Sequence, residues 1–160
     1  MTISSGDTIP ADLELYVMVD GAPGPITSGD IFSGKRVVLF GLPGAFTKTC
    51  SAQHLPGFIN NADAFKAKDI DEIVCLSVND AWVMTAWGEG QDAGGKVSMV
   101  GDGSLNFTRW AGLEVDLSAK GYGPRCKRFS AIIDNGTVER VYFEDGGYGI
   151  TSAETMLGDL

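Results

Sequence analysis

The segment PGAFTKTC, residues 43 to 50, places two threonines, Thr47 and Thr49, just ahead of a cysteine, Cys50. An ionised cysteine is a strong nucleophile, and the Thr47 hydroxyl, three residues earlier, can both donate to a thiolate and accept from a protonated oxygen. Pro43 and Phe46 are expected to keep bulk water from one side of the sulfur. A cation would complete such a site, and PRCKRFS, residues 124 to 130, supplies Arg125, Lys127 and Arg128. Spacing does not choose among the three, and a basic cluster of this kind is also what a solvated surface carries. His54, the only histidine, lies four residues beyond Cys50 and invites comparison with a cysteine-histidine hydrolase pair. No third orienting group accompanies it, so His54 reads as a structural neighbour of the site. Cys75 and Cys126 are further thiols, candidates for an accessory or resolving role. On position alone, Cys50 reads equally well as a small core residue.

Elements must hold these residues in place. Leu13, Leu15, Val17 and Val19 alternate with less apolar neighbours as in a half-buried strand, and DGAPGP then supplies a turn. RVVLFG, residues 36 to 41, and IVCLSV, residues 73 to 78, are apolar runs typical of strands covered on both faces. Between them, Ala52, Leu55, Phe58, Ile59, Ala62 and Phe65 recur near helical spacing. They predict a helix from Cys50 to Lys68 with a kink at Pro56. Strand, helix and strand form a βαβ unit with a right-handed crossover. Asn79 and Asp80 can cap a helix through AWVMTAWG; a strand near VSMV and a short helix in SLNFTRWAG follow. RFSAIID, DNG and TVERVYF make a β-hairpin, and TSAE, residues 151 to 154, reads as a capping box opening a terminal helix. The expected fold is α/β, a mixed central sheet with helices on both faces, in an order that suits a thioredoxin-like single domain over residues 1–160. Cys50 would sit where a strand gives way to a helix, with Thr47 or Thr49 as the cap and the helix dipole favouring a thiolate.

Composition narrows the partners. At 160 residues and 44% hydrophobic, one domain can bury roughly 70% of the surface its unfolded chain exposes. A net charge of -9 argues against nucleic acid and anionic membranes. No run approaches the roughly 20 apolar residues of a membrane helix. The first fifteen residues show no signal or transit pattern. Three well-separated cysteines give neither a disulfide framework nor a metal-ligand pair, so no metal or organic cofactor is expected and a reducing, cytoplasmic setting is.

PGAFTKTCSAQHLPGF resembles the active-site segment of the peroxiredoxins, which share P-x-x-x-T-x-x-C, here Pro43, Thr47 and Cys50. PGAFT, TCS and HLPGF in succession are most similar to the type II, or peroxiredoxin-5-like, branch. The likeness continues through DEIVCLSVNDAWVMTAWG, VGDGS and CKRFSAIIDNG. It implies a thiol peroxidase of the thioredoxin-like fold, in which Cys50 attacks hydrogen peroxide or a small alkyl hydroperoxide and becomes a sulfenic acid. It implies that Thr47, the Thr49 and Cys50 backbone N-H groups and an arginine hold the peroxide. The family's arginine precedes the aromatic that begins the hairpin strand, which makes it Arg128, ahead of Phe129. Lys48 departs from the pattern, since many relatives carry proline there; it is expected to point to solvent.

The resemblance also implies a homodimer, which Trp82 is placed to join, and recycling by an external thiol, glutathione with glutaredoxin ahead of thioredoxin. Neither Cys75 nor Cys126 matches a resolving cysteine. Cys75 is expected to be buried, and Cys126, between Arg125 and Lys127, to be the more exposed and reactive of the two. Two other classes compete. A thiol-disulfide oxidoreductase would be expected to use C-x-x-C, whereas Ala52 and Gln53 follow Ser51. A non-enzymatic redox sensor or interaction domain would use Cys50 as a switch.

Overall fold

The computed structural model describes all of residues 1–160. The chain opens with a hairpin, β1 (Glu14–Val19) and β2 (Ala22–Thr27), joined by Asp20 and Gly21 at φ 51° and 83°. Positive φ at both positions is the two-residue turn that Asp-Gly favours. Of DGAPGP, therefore, only the first two residues turn, and the remainder is strand. Pro23 and Pro25 are tolerated because β2 lies at the sheet edge, where a missing N-H costs no ladder bond. A capping box between Thr27 and Asp30 starts α1 (Ser28–Phe32), and β3 (Arg36–Leu42) follows.

The predicted helix from Cys50 to Lys68 is instead three pieces: a π-turn over Cys50–His54, α2 (Leu55–Asn60) and α3 (Ala62–Lys66). Pro56 occupies the first turn of α2, where its lack of an N-H is harmless, and the break falls at Asn61. Then come β4 (Glu72–Ser77), α4 (Ala81–Gly90) capped by Asp80, β5 (Ser98–Gly101) and α5 (Asn106–Trp110). A short ribbon of β6 (Glu114–Asp116) and β7 (Pro124–Cys126) precedes the hairpin of β8 (Phe129–Asp134) and β9 (Thr137–Phe143). The last helix, α6 (Ala153–Gly158), is capped by Ser152, which accepts from the Thr155 N-H, and not by Thr151.

The main sheet runs β2-β1-β5-β4-β3-β8-β9. β3, β4 and β5 are parallel, and β8 lies antiparallel to β3. Because successive strand residues face opposite sides, the sheet separates two cores. Val38, Phe40, Leu42, Cys75 and Ile132 pack with Cys50, Phe58, Phe65, Trp87 and Met156. Val37, Leu39, Val74, Phe129 and Ala131 pack on the other side with Phe32, Phe107 and Cys126. Helices α2, α3, α4 and α6 contribute to the first core, and α1 and α5 to the second.

Two consequences concern chemistry. Alternation from Ile132 and Ser130 sets Arg128 toward the Cys50 side of the sheet. In β3, Gly41 stands opposite Phe129, and a Cβ there would come within 2.2 Å of the Phe129 ring. The glycine is what lets the residue after Arg128 pack flat against the central strand.

Candidate active site

β3 ends at Leu42, and the chain turns through Pro43 to Phe46 before becoming helical at Lys48. Asn79 fixes this turn from the β4–α4 junction by accepting from the Ala45 N-H at 3.0 Å. Arg125 holds it from the opposite strand pair: Nη1 donates to the Pro43 carbonyl at 3.1 Å. A Cβ on Gly44 would lie 2.5 Å from that nitrogen. Phe46 adopts φ 64°, stands 61% exposed and lies with its ring 6.4 Å from that of Trp87; Pro43 is half-buried.

Thr47 does not cap the helix either. Its Oγ1 donates to the Gly44 carbonyl at 2.7 Å, and Thr49 makes no capping bond. With its proton committed, the Thr47 oxygen has only lone pairs to offer. The Thr49 and Cys50 N-H groups, at the start of the helix, find no acceptor within the chain, as expected of the first donors of a helix.

At Cys50 the ladder widens into the π-turn, closed by the Leu55 N-H on the Cys50 carbonyl. Trp87 Nε1 donates to Ser51 Oγ at 2.9 Å and Gln91 Nε2 to the Ser51 carbonyl at 3.2 Å, which anchors the turn to α4. Cys50 is 1% exposed, and Arg128 Nη2 donates to its sulfur at 3.2 Å. The other guanidinium nitrogen, Nη1, donates to His54 Nδ1 at 2.8 Å. His54 Nε2 in turn reaches the Thr151 carbonyl at 3.1 Å, a carbonyl that also accepts from Ser130 Oγ at 2.6 Å. This network fixes the tautomer: Nε2 carries the proton and Nδ1 accepts. Burial first, then the Arg128 charge, lower the His54 pKa to about 3 against the weaker pull of the Thr151 carbonyl. The imidazole is a neutral acceptor that orients Arg128, and with its Nδ1 lone pair taken by the guanidinium it has no free site to act as a base toward Cys50. Tyr148 lies beneath the Arg128 guanidinium at 6.0 Å and meets His54 edge-on at 5.4 Å.

The remaining candidates fall apart from this cluster. Lys127 pairs with Asp145. Cys75 is fully buried in the same core as Cys50, and burial pushes its thiol well above the ordinary range. Cys126, expected to be exposed between two cations, is fully buried in the opposite core, and burial raises its pKa to about 12. The error lies in reading neighbours in sequence as neighbours in space: in β7 the Arg125 side chain points away from the side that buries Cys126. No three His, Cys, Asp or Glu side chains gather as metal ligands would. Sequence reading missed Asn79, Ser130, Thr151 and Tyr148 as parts of the site, and it weighed Arg125 only as a cation for the sulfur, whereas Arg125 braces the Pro43 turn. Only Ser130 carried a signal, its two-residue spacing from Arg128 on one strand.

Residues 4–157 match the Redoxin family. Peroxiredoxin-2D of Arabidopsis thaliana is 44% identical over 159 residues, 99% of this chain and 98% of that protein. The chain belongs to the peroxiredoxins. A peroxiredoxin of Rhizobium etli is 48% identical over 132 residues, 82% of this chain and 73% of its own. Among solved structures, reduced Prx3 of Vibrio vulnificus in complex with hydrogen peroxide superposes with a TM-score of 0.93 at 43% identity, covering 99% of each chain. This peroxiredoxin has the thioredoxin-like fold and is a thiol peroxidase.

Proposed function

We propose that Cys50 is the peroxidatic nucleophile, acting on hydrogen peroxide and small organic hydroperoxides, and that glutathione with glutaredoxin recycles it. The observation that carries this reading is the 3.2 Å bond from Arg128 Nη2 to Cys50 Sγ. The guanidinium is held as a charged donor on the buried sulfur, and its remaining donors can meet charge on a peroxide oxygen. Thr47 Oγ1 accepts from the peroxide hydroxyl, and the Thr49 and Cys50 N-H groups donate to its oxygens, so the O–O bond is held in line with the sulfur. Sulfur attacks one oxygen, the O–O bond breaks, and the second oxygen leaves as water or alcohol after taking a proton. Cys50 is left as a sulfenic acid.

Burial of Cys75 and Cys126 supports an external thiol over an internal disulfide. Thioredoxin is the alternative donor. The exposed rings of Phe46 and Trp82, 61% and 57% exposed, support a homodimer, and three free thiols fit a reducing compartment such as the cytoplasm.

Cys50→Ser tests the core of this reading, with peroxide consumption and intact mass as readouts. Peroxide consumption should be abolished. In the parent, limiting peroxide should add one oxygen to Cys50, and added glutathione should convert this to a mixed disulfide. Parental consumption by the variant, or a Cys50–Cys75 disulfide in the parent, would sink it.

A further inference from the structure

A groove of about 690 Å3 opens beside Thr47, Thr49 and Arg128. Its far side is formed by β6, the turn carrying Lys120 and Tyr122, and residues 144 to 147. A larger groove, of about 790 Å3 near β1, β5 and α4, shares no residue with it. Hydrogen peroxide, only about twice the roughly 30 Å3 of a water, does not account for the space beside the cysteine. The volume suits a larger co-substrate.

Charge says which kind. The acids of this groove are already occupied. Glu114 pairs with Arg109 at 3.2 Å, Asp145 pairs with Lys127, and Glu144 accepts from the Gly149 N-H, the Thr151 N-H and the Thr151 hydroxyl. Lys48 and Lys120 are exposed and have no carboxylate within 4.0 Å. Two unpaired cations lining the groove that Thr47, Thr49 and Arg128 share are out of character for a chain of net charge -9.

We propose that Lys48 and Lys120 bind the carboxylates of a small anionic thiol of the glutathione class and aim its sulfur at oxidised Cys50. The proposal rests on the glutathione reading above. A thiol is favoured over a carboxylate-bearing hydroperoxide because the peroxide oxygens already have Thr47, two N-H groups and Arg128, whereas nothing else in the site meets a reductant. The step balances: the thiol sulfur bonds to Cys50 Sγ, the S–OH bond breaks, and the hydroxyl leaves as water with the thiol proton. A second thiol then takes the mixed disulfide to free Cys50 and a disulfide of the small thiol.

The experiment compares the parent with Lys48→Gln/Lys120→Gln at saturating hydrogen peroxide, using glutathione and uncharged dithiothreitol as reductants. The ratio of apparent KM for glutathione to that for dithiothreitol should rise about fivefold, as expected for two exposed ion pairs. The parent's preference for glutathione should fade toward about 1 M salt, where screening acts over about 3 Å. In the oxidation half-reaction, the rate ratio of a fatty-acid hydroperoxide to tert-butyl hydroperoxide should match the parent's. An unchanged KM ratio would overturn the lysine assignment alone, and an effect confined to the fatty-acid hydroperoxide would reassign the groove to the oxidising substrate. No turnover with glutathione alongside full turnover with thioredoxin would remove both this proposal and the reductant reading beneath it.

Discussion

Arg128 divides its guanidinium between Cys50 and His54, and that division explains why a lysine cannot stand in for it. A lysine is a point charge without the rigid fork that serves two acceptors at fixed angles. Arg128→Lys should slow peroxide reduction about 100-fold, the scale of losing one aligned donor to developing charge, with an unchanged circular dichroism spectrum; a near-parental second-order rate would exclude Arg128 from the mechanism. His54 yields a second expectation, in stability. Unfolded, its pKa is near 6.5, and in the native chain it is about 3. Between these values the unfolded chain binds a proton that the native chain refuses. Stability is therefore full above about pH 6.5 and falls as the medium is acidified toward pH 3. At about pH 4.5 the loss is on the order of 2–3 kcal/mol, a sizeable share of a typical 5–15 kcal/mol. His54→Asn keeps an acceptor for Arg128, and Ser130 still serves the Thr151 carbonyl, but the titration is gone. Urea unfolding at pH 7 and pH 4.5 should show a flatter pH dependence for the variant; parallel curves would contradict the buried neutral state. At this scale Cys50 and Thr47 stood out by their spacing, whereas Arg128 was one of three cations until the family resemblance singled out the arginine ahead of the hairpin aromatic. His54 was visible only as a neighbour, since its role depends on a carbonyl 97 positions away.

The elements that carry these residues differ in how visibly the sequence writes them. β3, β4, β8 and β9 were legible because buried strands need unbroken or alternating apolar runs. β2 was not, because two prolines look like loop unless the strand's edge position is known, although Asp20-Gly21 was a signal for the hairpin turn. The ribbon of β6 and β7 is three residues a side and carries no period to read. The π-turn was also hidden, since one wider turn hardly disturbs an apolar spacing, yet it decides that Cys50 and His54 both face Arg128. Packing across β3 and β8 sets the other half of that geometry. Gly41→Ala would press a methyl into the Phe129 ring, which is buried and stacked with Phe107 at 6.2 Å. Overpacking should cost about 1–3 kcal/mol in denaturant unfolding. Because Arg128 directly precedes Phe129, the peroxidase rate should fall as well, whereas parental stability would mean the strand pair yields easily.

Across the whole molecule, the sheet is a partition, and the side on which a thiol lies determines its chemistry. Cys50 and Cys75 share one core; Cys126 lies in the other, beside Thr108 and the buried Asp102. The sequence placed Cys126 between two cations, and that neighbourhood was misleading because strand neighbours alternate across a sheet. An approach of Cys126 to Cys50 would have to carry one thiol through a seven-stranded sheet, which amounts to unfolding. Two outcomes follow. Cys126→Ser should turn over peroxide at the parental rate with any reductant. Peptide mapping of the parent after peroxide in native buffer should find Cys126 as a free thiol, while the same treatment in about 6 M urea should oxidise it. The contrast separates a thiol that is unreactive by burial from one that is unreactive by nature. Recovery of a Cys50–Cys126 disulfide under native conditions would mean that the partition opens during turnover.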